Sequence, residues 1–257
     1  MKDKRLWNTR RVNILGLDID VLTMNQTVDL VEEYVKRKAQ LHLMGVNADK
    51  INECQKNLEL AKIVNNCGVI NADGASVVLA SRFLKKPLPE RVAGIDLMLN
   101  LVRLSAEKDY SIYLLGAKKE VVFKTKNVLM EQFPSLRIVG IHDGYFEDNC
   151  WKDLSDEIKG LNPDFVFVGI TSPKKEYLIE YLQSEGNSSV FMGVGGSFDV
   201  ISGEIARAPH WMQKANLEWL FRMMQEPKRL FKRYFFGNSK FIYMVVKEKM
   251  KRDRGFE

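Results

Sequence analysis

Runs of apolar residues alternate with segments of helical periodicity along most of the chain. Nearly unbroken apolar runs of four to six residues are typical of strands that are buried on both faces, as in a parallel sheet. An earlier, less apolar segment at 12–20 predicts a short strand and turn. The predicted buried strands cover residues 41–46, 69–73, 110–115, 137–141, 165–170 and 189–194.

The segments between these runs place apolar residues on one helical face. The first helix has Thr23 or Asn25 as its predicted N-cap. The predicted helices cover residues 23–39, 48–65, 74–84, 95–107, 119–133, 151–160 and 173–184. This alternation predicts an α/β fold: a Rossmann-like, doubly wound, mainly parallel sheet.

Charge is distributed unevenly along the 257 residues. The net charge is +6, yet residues 207–257 hold thirteen Lys/Arg and five Asp/Glu, a surplus of +8, so the preceding residues sum to −2. Trp, Phe, Tyr and Met are interleaved with these basic residues. We therefore predict a Rossmann-like catalytic domain over 1–206 and a helical, basic, amphipathic appendage over 207–257. Such a segment suits an anionic membrane surface or phosphate groups.

Several classes of protein are disfavoured by the composition. No apolar run reaches about 18 residues, and the first residues are charged, so we expect neither a membrane span nor a signal peptide. The three cysteines are widely spaced and are interpreted as reduced residues of a cytosolic protein. The three histidines are not paired at ligand spacing, and we predict no metal site and no cofactor.

Polar residues and glycines gather where the predicted strands end. Ligands of open parallel sheets bind outside the carboxyl ends of the strands. The turn at 193–199 matches neither a dinucleotide fingerprint nor a phosphate-binding Walker A loop. It is interpreted either as a ligand-binding loop or as a tight turn without ligand. The strand-end candidates are Asn47, Asp73, Gly116, Ala117, Gly169, Lys175, Gly195, Gly196 and Asp199.

Three charged residues each have two interpretations. Asp73 is a candidate general base, or the N-cap of the helix after it. Arg91 is a ligand clamp, or one half of a surface ion pair. Asp199 binds ligand, or caps the following turn.

Basic residues in the appendage recur at helical spacing. Arg222, Arg229 and Lys232 are seven and three residues apart, which predicts one helical face. Their neighbours include Trp219 and Phe231 rather than Glu and Gln, so a merely solvated charge stripe is disfavoured.

Short motifs follow one another in a fixed order along the chain. The most specific are Arg-Ala-Pro at 207–209, Leu-Glu-Trp at 217–219 and Glu-Pro-x-Arg at 226–229. Others include Val-Asn at 46–47, Asn-Ala-Asp-Gly at 71–74, Arg-Val-Ala-Gly-Ile-Asp at 91–96, Ser-Pro-Lys-Lys-Glu at 172–176 and Gly-Val-Gly-Gly-Ser-Phe-Asp at 193–199. In this order the motifs closely resemble the WecG/TagA/CpsF family of bacterial glycosyltransferases, and the likeness covers nearly the whole chain after about residue 12.

The resemblance implies a function. Members move a sugar, with inversion, from a UDP-sugar to a sugar on a polyprenyl diphosphate, without a required metal. They act at the inner face of the bacterial plasma membrane, and a homo-oligomer is expected. The resemblance makes Asp73 the general base, with Asn47 and Arg91 beside it. It makes Arg222 and Arg229, with Lys232 or Arg233, the residues that hold the diphosphate.

Two positions depart from the family pattern, and both lie at predicted strand ends. Gly45 stands where Thr is frequent, and Lys175 where Gln is frequent. Lys175 would suit a more anionic donor or a rearranged phosphate contact.

The fold alone would also permit other functions. A nucleotide-binding oxidoreductase is weakened by the missing glycine fingerprint near 17–20. A nucleic-acid binder using the basic tail would lose affinity steeply with salt for any polyanion. We expect no nucleic-acid partner.

Overall fold

The computed structural model describes residues 6–254, without the side chains of residues 229 and 232–234. Two groups of strands are present. A hairpin comprises β1 (Arg11–Ile14) and β2 (Leu17–Asp20). The remaining strands are β3 (Leu41–Val46), β4 (Val69–Ala72), β5 (Ser111–Gly116), β6 (Arg137–His142), β7 (Phe165–Gly169) and β8 (Val190–Gly193).

Helices fill most of the intervals between the strands. Those of the first two hundred residues are α1 (Met24–Lys36), α2 (Ala48–Cys54), α3 (Leu58–Asn65), α4 (Ala75–Phe83), α5 (Gly94–Lys108), α6 (Lys119–Gln132), α7 (Trp151–Leu161), α8 (Lys174–Ser184) and α9 (Ser197–Ile201). The C-terminal helices are α10 (His210–Lys214), α11 (Glu218–Gln225) and α12 (Pro227–Asp253).

The six strands β3 to β8 form one parallel sheet in the order β4-β3-β8-β7-β5-β6. The predicted fold class is thus confirmed. Because all six strands run the same way, their carboxyl ends share one edge of the sheet. That edge brings together residues that lie more than one hundred positions apart in sequence.

Alternate residues of the central strands enter different cores. Phe165 and Phe167 of β7 pack in a cluster with residues of α1, α5 and α6. Val166 and Val168 pack in a second cluster with residues of α7 and α8. Side chains alternate across a strand, so a strand that is buried on both faces must be apolar throughout. This requirement explains the apolar runs in the sequence.

The boundaries of one predicted helix were wrong. The segment 48–65 forms two helices, α2 and α3, rather than one. The helix is interrupted at Asn57, because the Asn57 side chain caps α3 and accepts a hydrogen bond from the Leu60 amide at 3.0 Å. Thr23, by contrast, is the predicted N-cap of α1 and forms a capping box with Gln26.

The C-terminal helices pack back onto the sheet domain. Phe241 and Val245 of α12 are buried in a cluster with residues of the hairpin, α2 and α4. The Asn52 side-chain amide also donates to the Gly237 carbonyl at 2.8 Å. In residues 6–254 no helix has both the length and the hydrophobicity to cross a bilayer.

Candidate active site

A large cleft opens at the carboxyl edge of the sheet and extends beneath the C-terminal helices. We call it the strand-end cleft, and its volume is about 1740 Å³. Its walls include residues that follow β3, β4, β5, β7 and β8, together with residues of α4, α11 and α12. Of the predicted site residues, it is lined by Asn47, Asp73, Arg91, Ala117, Gly169, Lys175, Gly195, Gly196, Asp199 and Arg222.

Asp73 follows β4 directly, and its carboxylate is fixed on one side. The Gly94 amide, at the first residue of α5, donates to Asp73 Oδ1 at 2.8 Å. A helix N-terminus favours a negative charge because its amide groups are unpaired and its dipole is positive there. Within residues 6–254, Asp73 Oδ2 has no hydrogen-bond partner. One carboxylate oxygen is therefore held while the other is available in the cleft.

The alternative role of Asp73 as cap of its own helix does not occur. Gly74 is the N-cap of α4, and no side chain caps that helix. The carboxylate turns instead toward α5, which comes later in the chain. Space for this orientation comes from Gly45, since a β-carbon at that position would lie 3.3 Å from Asp73 Cβ. The small residue at a position where the family often has Thr thus lies against the candidate base.

Asn47 is occupied by a structural contact. It is the N-cap of α2, and its side-chain oxygen accepts from the Lys50 amide at 2.9 Å. Its other side-chain group, the amide nitrogen, makes no hydrogen bond within the described residues. Asn47 therefore presents a donor to the cleft from a fixed position.

Arg91 connects the candidate base to the C-terminal helices. Its Nε donates to the Asp73 carbonyl oxygen at 2.8 Å, and Nη2 lies 2.7 Å from Glu218 Oε2. The same Glu218 carboxylate also faces Arg207, whose Nε lies 3.7 Å from Oε1. Arg207 in turn pairs with Asp96 of α5. The ion-pair interpretation of Arg91 holds, but the pair is partly buried and lines the cleft.

A buried charge cluster lies at the floor of the cleft and includes Lys175, one of the predicted strand-end residues. Glu176 is fully buried, with Oε1 at 2.9 Å from Lys50 Nζ and 3.6 Å from Lys175 Nζ. Burial raises the pKa of Glu176, but the charges of Lys175 and Lys50 outweigh that effect and hold it below its ordinary value. Burial lowers the pKa of Lys175, against the opposing charge of Glu176. The Lys175 side chain passes over the end of β8, where a β-carbon at Gly193 would lie 2.8 Å from Lys175 Cε.

The predicted glycines serve different purposes. Gly116 has φ +130°, and a β-carbon there would lie 2.5 Å from the Gly169 carbonyl carbon, so this strand end needs glycine. A β-carbon on Gly169 would lie 2.7 Å from Phe198 Cδ2. Gly116 itself does not line the cleft, whereas Ala117, the next residue, does. Gly195 and Gly196 lie on the wall.

Asp199 also lies on the wall and does not cap α9, whose N-cap is Gly196. The predicted capping role is therefore wrong. The ligand-binding role stays a prediction.

The basic residues of the appendage do not share one continuous helix, so that prediction was wrong. Arg222 lies on α11 and residues 229 and 232 lie on α12, because the chain leaves helical geometry at Glu226. Proline disfavours helical backbone in the residue before it and lacks an amide hydrogen, so Pro227 begins a new helix. The side chains of Arg229 and Lys232 lie outside the described residues.

One carboxylate pair bears on the expected metal-free site. Asp18 and Asp20 have Asp-x-Asp spacing, which can serve cation binding. Both lie in the hairpin and neither lines the strand-end cleft. Asp20 is buried, pairs with Arg11 at 3.0 Å and accepts from the Ile70 amide at 2.7 Å. Asp20 thus fixes the hairpin to β4.

Sequence reasoning missed Lys50, Glu176 and Glu218 as parts of the site. Glu218 and Glu176 lie inside motifs that the resemblance rests on, so their spacing was a usable signal. Lys50 had none, since its partner Glu176 lies 126 positions away.

Comparison with known proteins agrees with this architecture. The model of the "Glycosyl transferase WecG/TagA/CpsF family" matches residues 12–255. Proteins of Staphylococcus aureus strains MW2 and NCTC 8325 are each 34% identical over 255 residues, covering 95% of both chains. Each is named N-acetylglucosaminyldiphosphoundecaprenol N-acetyl-beta-D-mannosaminyltransferase. With its fold, its cleft and this match over nearly the whole length, the chain belongs to the WecG/TagA/CpsF family of glycosyltransferases.

Proposed function

We propose that this protein transfers N-acetylmannosamine, or a related sugar, from a UDP-sugar to a sugar carried on a polyprenyl diphosphate. The step would serve the biosynthesis of teichoic acid, exopolysaccharide or a surface antigen. The names of the Staphylococcus aureus relatives support the sugar and the lipid diphosphate. The UDP donor and the inversion are proposed from the family resemblance, and the Asp73 carboxylate in the cleft is compatible with inversion.

The observation that carries the proposal is the Asp73 carboxylate. Oδ1 is held by the Gly94 amide, and Oδ2 is available in the cleft. In the transfer step, Asp73 takes the proton of the acceptor hydroxyl as that oxygen bonds to the anomeric carbon of the donor. The bond from that carbon to the diphosphate breaks, and UDP leaves with the electron pair. Attack opposite the leaving group inverts the anomeric centre.

The departing diphosphate needs positive charge or amide donors. Lys175 and Arg222 lie on the cleft wall, and the glycine-rich turn at 193–199 offers backbone amides. We assign the diphosphate to this side of the cleft, with Arg229 and Lys232 as further proposed contacts. A volume of about 1740 Å³ exceeds the roughly 300–1,000 Å³ of typical small-molecule pockets. The cleft has room for a sugar nucleotide and an acceptor head group together.

The C-terminal helices suit a membrane surface. Large apolar side chains are exposed on all three, including Trp211, Met224, Phe231, Phe235 and Tyr243. Basic residues lie among them, and each is worth about 1 kcal/mol near an anionic lipid surface. We propose that residues 207–257 hold the protein at the cytoplasmic face of the membrane as a peripheral component.

A direct assay tests the proposal. Purified protein is incubated with UDP-N-acetylmannosamine and a short-chain lipid carrying N-acetylglucosamine diphosphate. We expect UDP release and a disaccharide whose new linkage is β by proton NMR. A screen of other UDP-sugars identifies the preferred donor. Absence of glycosylated lipid with every donor, or retention of the donor's anomeric configuration, would overturn the proposal.

A further inference from the structure

The strand-end cleft continues into an apolar groove between α4 and α12. Leu79 and Phe83 of α4 form one wall, and Ile242 and Val246 of α12 form the other. We call these four residues the α4–α12 groove. They are 64%, 52%, 59% and 42% exposed, so each wall presents uncovered apolar surface. Contiguous exposed apolar surface marks an interaction site more often than scattered side chains do.

The spacing on each helix makes the groove continuous. Leu79 and Phe83 are four residues apart, as are Ile242 and Val246, so each pair lies on one helical face. Phe241 and Val245, one position earlier on α12, are buried against the core. Burial of that face fixes the rotation of α12 and presents Ile242 and Val246 to the cleft.

The two walls are held at fixed positions. The Arg252 guanidinium donates to the Leu84 carbonyl at the end of α4. Lys86 Nζ lies 3.9 Å from Glu248 Oε1. Asn52 holds Gly237 at the other end of the groove, at 2.8 Å. The groove is therefore built from anchored helices.

The groove begins at the candidate base. Asp73 is followed by Gly74, the N-cap of α4, so α4 leads away from the catalytic carboxylate. At about 1.5 Å per residue, Leu79 lies roughly 6 Å and Phe83 roughly 12 Å beyond Ala75 along the helix axis. One sugar ring and a diphosphate separate the attacking hydroxyl of the acceptor from its first prenyl carbon, a comparable length.

We infer that the α4–α12 groove binds the first isoprene units of the acceptor's polyprenyl chain, an inference that rests on the proposed function. The acceptor would place its sugar at Asp73, its diphosphate at the polar part of the cleft and its chain between α4 and α12. A polyprenyl chain is apolar and carries no charge, which fits walls formed by Leu, Phe, Ile and Val. Chain length then becomes a determinant of acceptor choice.

The test compares acceptors of different chain length in detergent, without a membrane. One carries a chain of several isoprene units, and the other a short alkyl group that ends before the groove. The variants are Leu79→Ser, Ile242→Ser and the double variant. Matched controls are Leu58→Ser on α3 and Phe123→Ser on α6, since both residues are exposed and neither lines the cleft.

We expect wild-type protein and both controls to prefer the long chain. Each groove variant should lose about tenfold in kcat/KM with the long-chain acceptor. The same variants should keep wild-type kcat/KM with the short acceptor.

Three results would overturn the inference: no chain-length preference in wild-type protein, equal loss with both acceptors, or an unchanged long-chain preference in the double variant. Failure of the proposed function is separate, because it would appear as no transfer to either acceptor by the wild-type protein.

Discussion

Arg91 and Glu218 form an ion pair, with 2.7 Å between Nη2 and Oε2, that links the candidate base to the C-terminal helices. Arg91 also donates from Nε to the Asp73 carbonyl. Glu218 is the first residue of α11, the helix that carries Arg222. The position of the base and the position of the proposed diphosphate-binding helix are therefore coupled through one guanidinium.

This coupling can be measured with a double-mutant cycle. Arg91→Lys keeps the positive charge, but an ammonium group lacks the planar guanidinium that contacts both the Asp73 carbonyl and Glu218. We expect Arg91→Lys and Glu218→Gln each to lower kcat, and the double variant to lose less than the sum. A coupling energy of about 0.5–3 kcal/mol in transition-state free energy is expected for directly paired residues. Additive losses would show that the pair does not connect the two elements.

Asp73→Asn tests the base. The amide still accepts the Gly94 hydrogen bond but cannot take a proton at neutral pH. We expect kcat/KM to fall by about 10²–10⁴-fold, with an unfolding free energy within about 1 kcal/mol of wild type. UDP affinity, measured by calorimetry, should change little. Asp29→Asn, an exposed site on α1, is the control, and near-normal turnover by Asp73→Asn would refute the assignment.

Phe231 and Phe235 test the membrane contact. Their rings stack with centroids 5.8 Å apart, and both are exposed on α12. Replacing both with Ser removes apolar area while leaving the basic residues in place. We expect at least about a tenfold lower partition coefficient for anionic vesicles in a sedimentation assay.

Leu58→Ser, at an equally exposed site on α3, should bind vesicles as wild type does. Unchanged partitioning of the Phe231→Ser/Phe235→Ser variant would contradict the membrane role of α12. Point variants are preferable to deletion after residue 206, because deletion would also remove the buried Phe241 and Val245.

The Glu176 cluster predicts a pH-dependent contribution to stability. The folded pKa of Glu176 is lowered from 4.5, so the folded state binds this proton more weakly than the unfolded chain does. The stabilisation is therefore complete above about pH 4.5 and is lost as the pH falls through the lower folded value. Urea unfolding should show wild type more stable than Glu176→Gln at about pH 6, with a gap that narrows at about pH 3.5. Glu120→Gln, exposed on α6, should show no such gap, and a gap for Glu176→Gln that widens in acid would contradict the assignment.

Chelation tests the metal-free mechanism. Since Lys175, Arg222 and backbone amides are available for the leaving diphosphate, we expect transfer to continue in EDTA. Initial rates with and without EDTA, followed by added Mg²⁺ or Mn²⁺, provide the measurement. Strong inhibition that either cation reverses would refute this expectation.

Local chemistry made much of the architecture predictable. Buried parallel strands must be apolar on both faces, so 41–46 and 165–170 were recognisable from composition alone, within a residue of β3 and β7. Thr23 was recognisable as a cap because capping acts within three residues. The break at Glu226 also had a local signal, the proline after it, which the spacing of the basic residues obscured.

The sequence by itself determined the strands, their parallel arrangement and the set of polar residues at their ends, because hydrophobic periodicity and capping depend on near neighbours. Only the tertiary structure decided which way those polar side chains point. It turned Asp73 toward Gly94, paired Lys50 with Glu176 and brought Ile242 and Leu79 to the same cleft. Contacts between distant positions depend on how helices pack and rotate, and no pattern within a short window encodes that geometry.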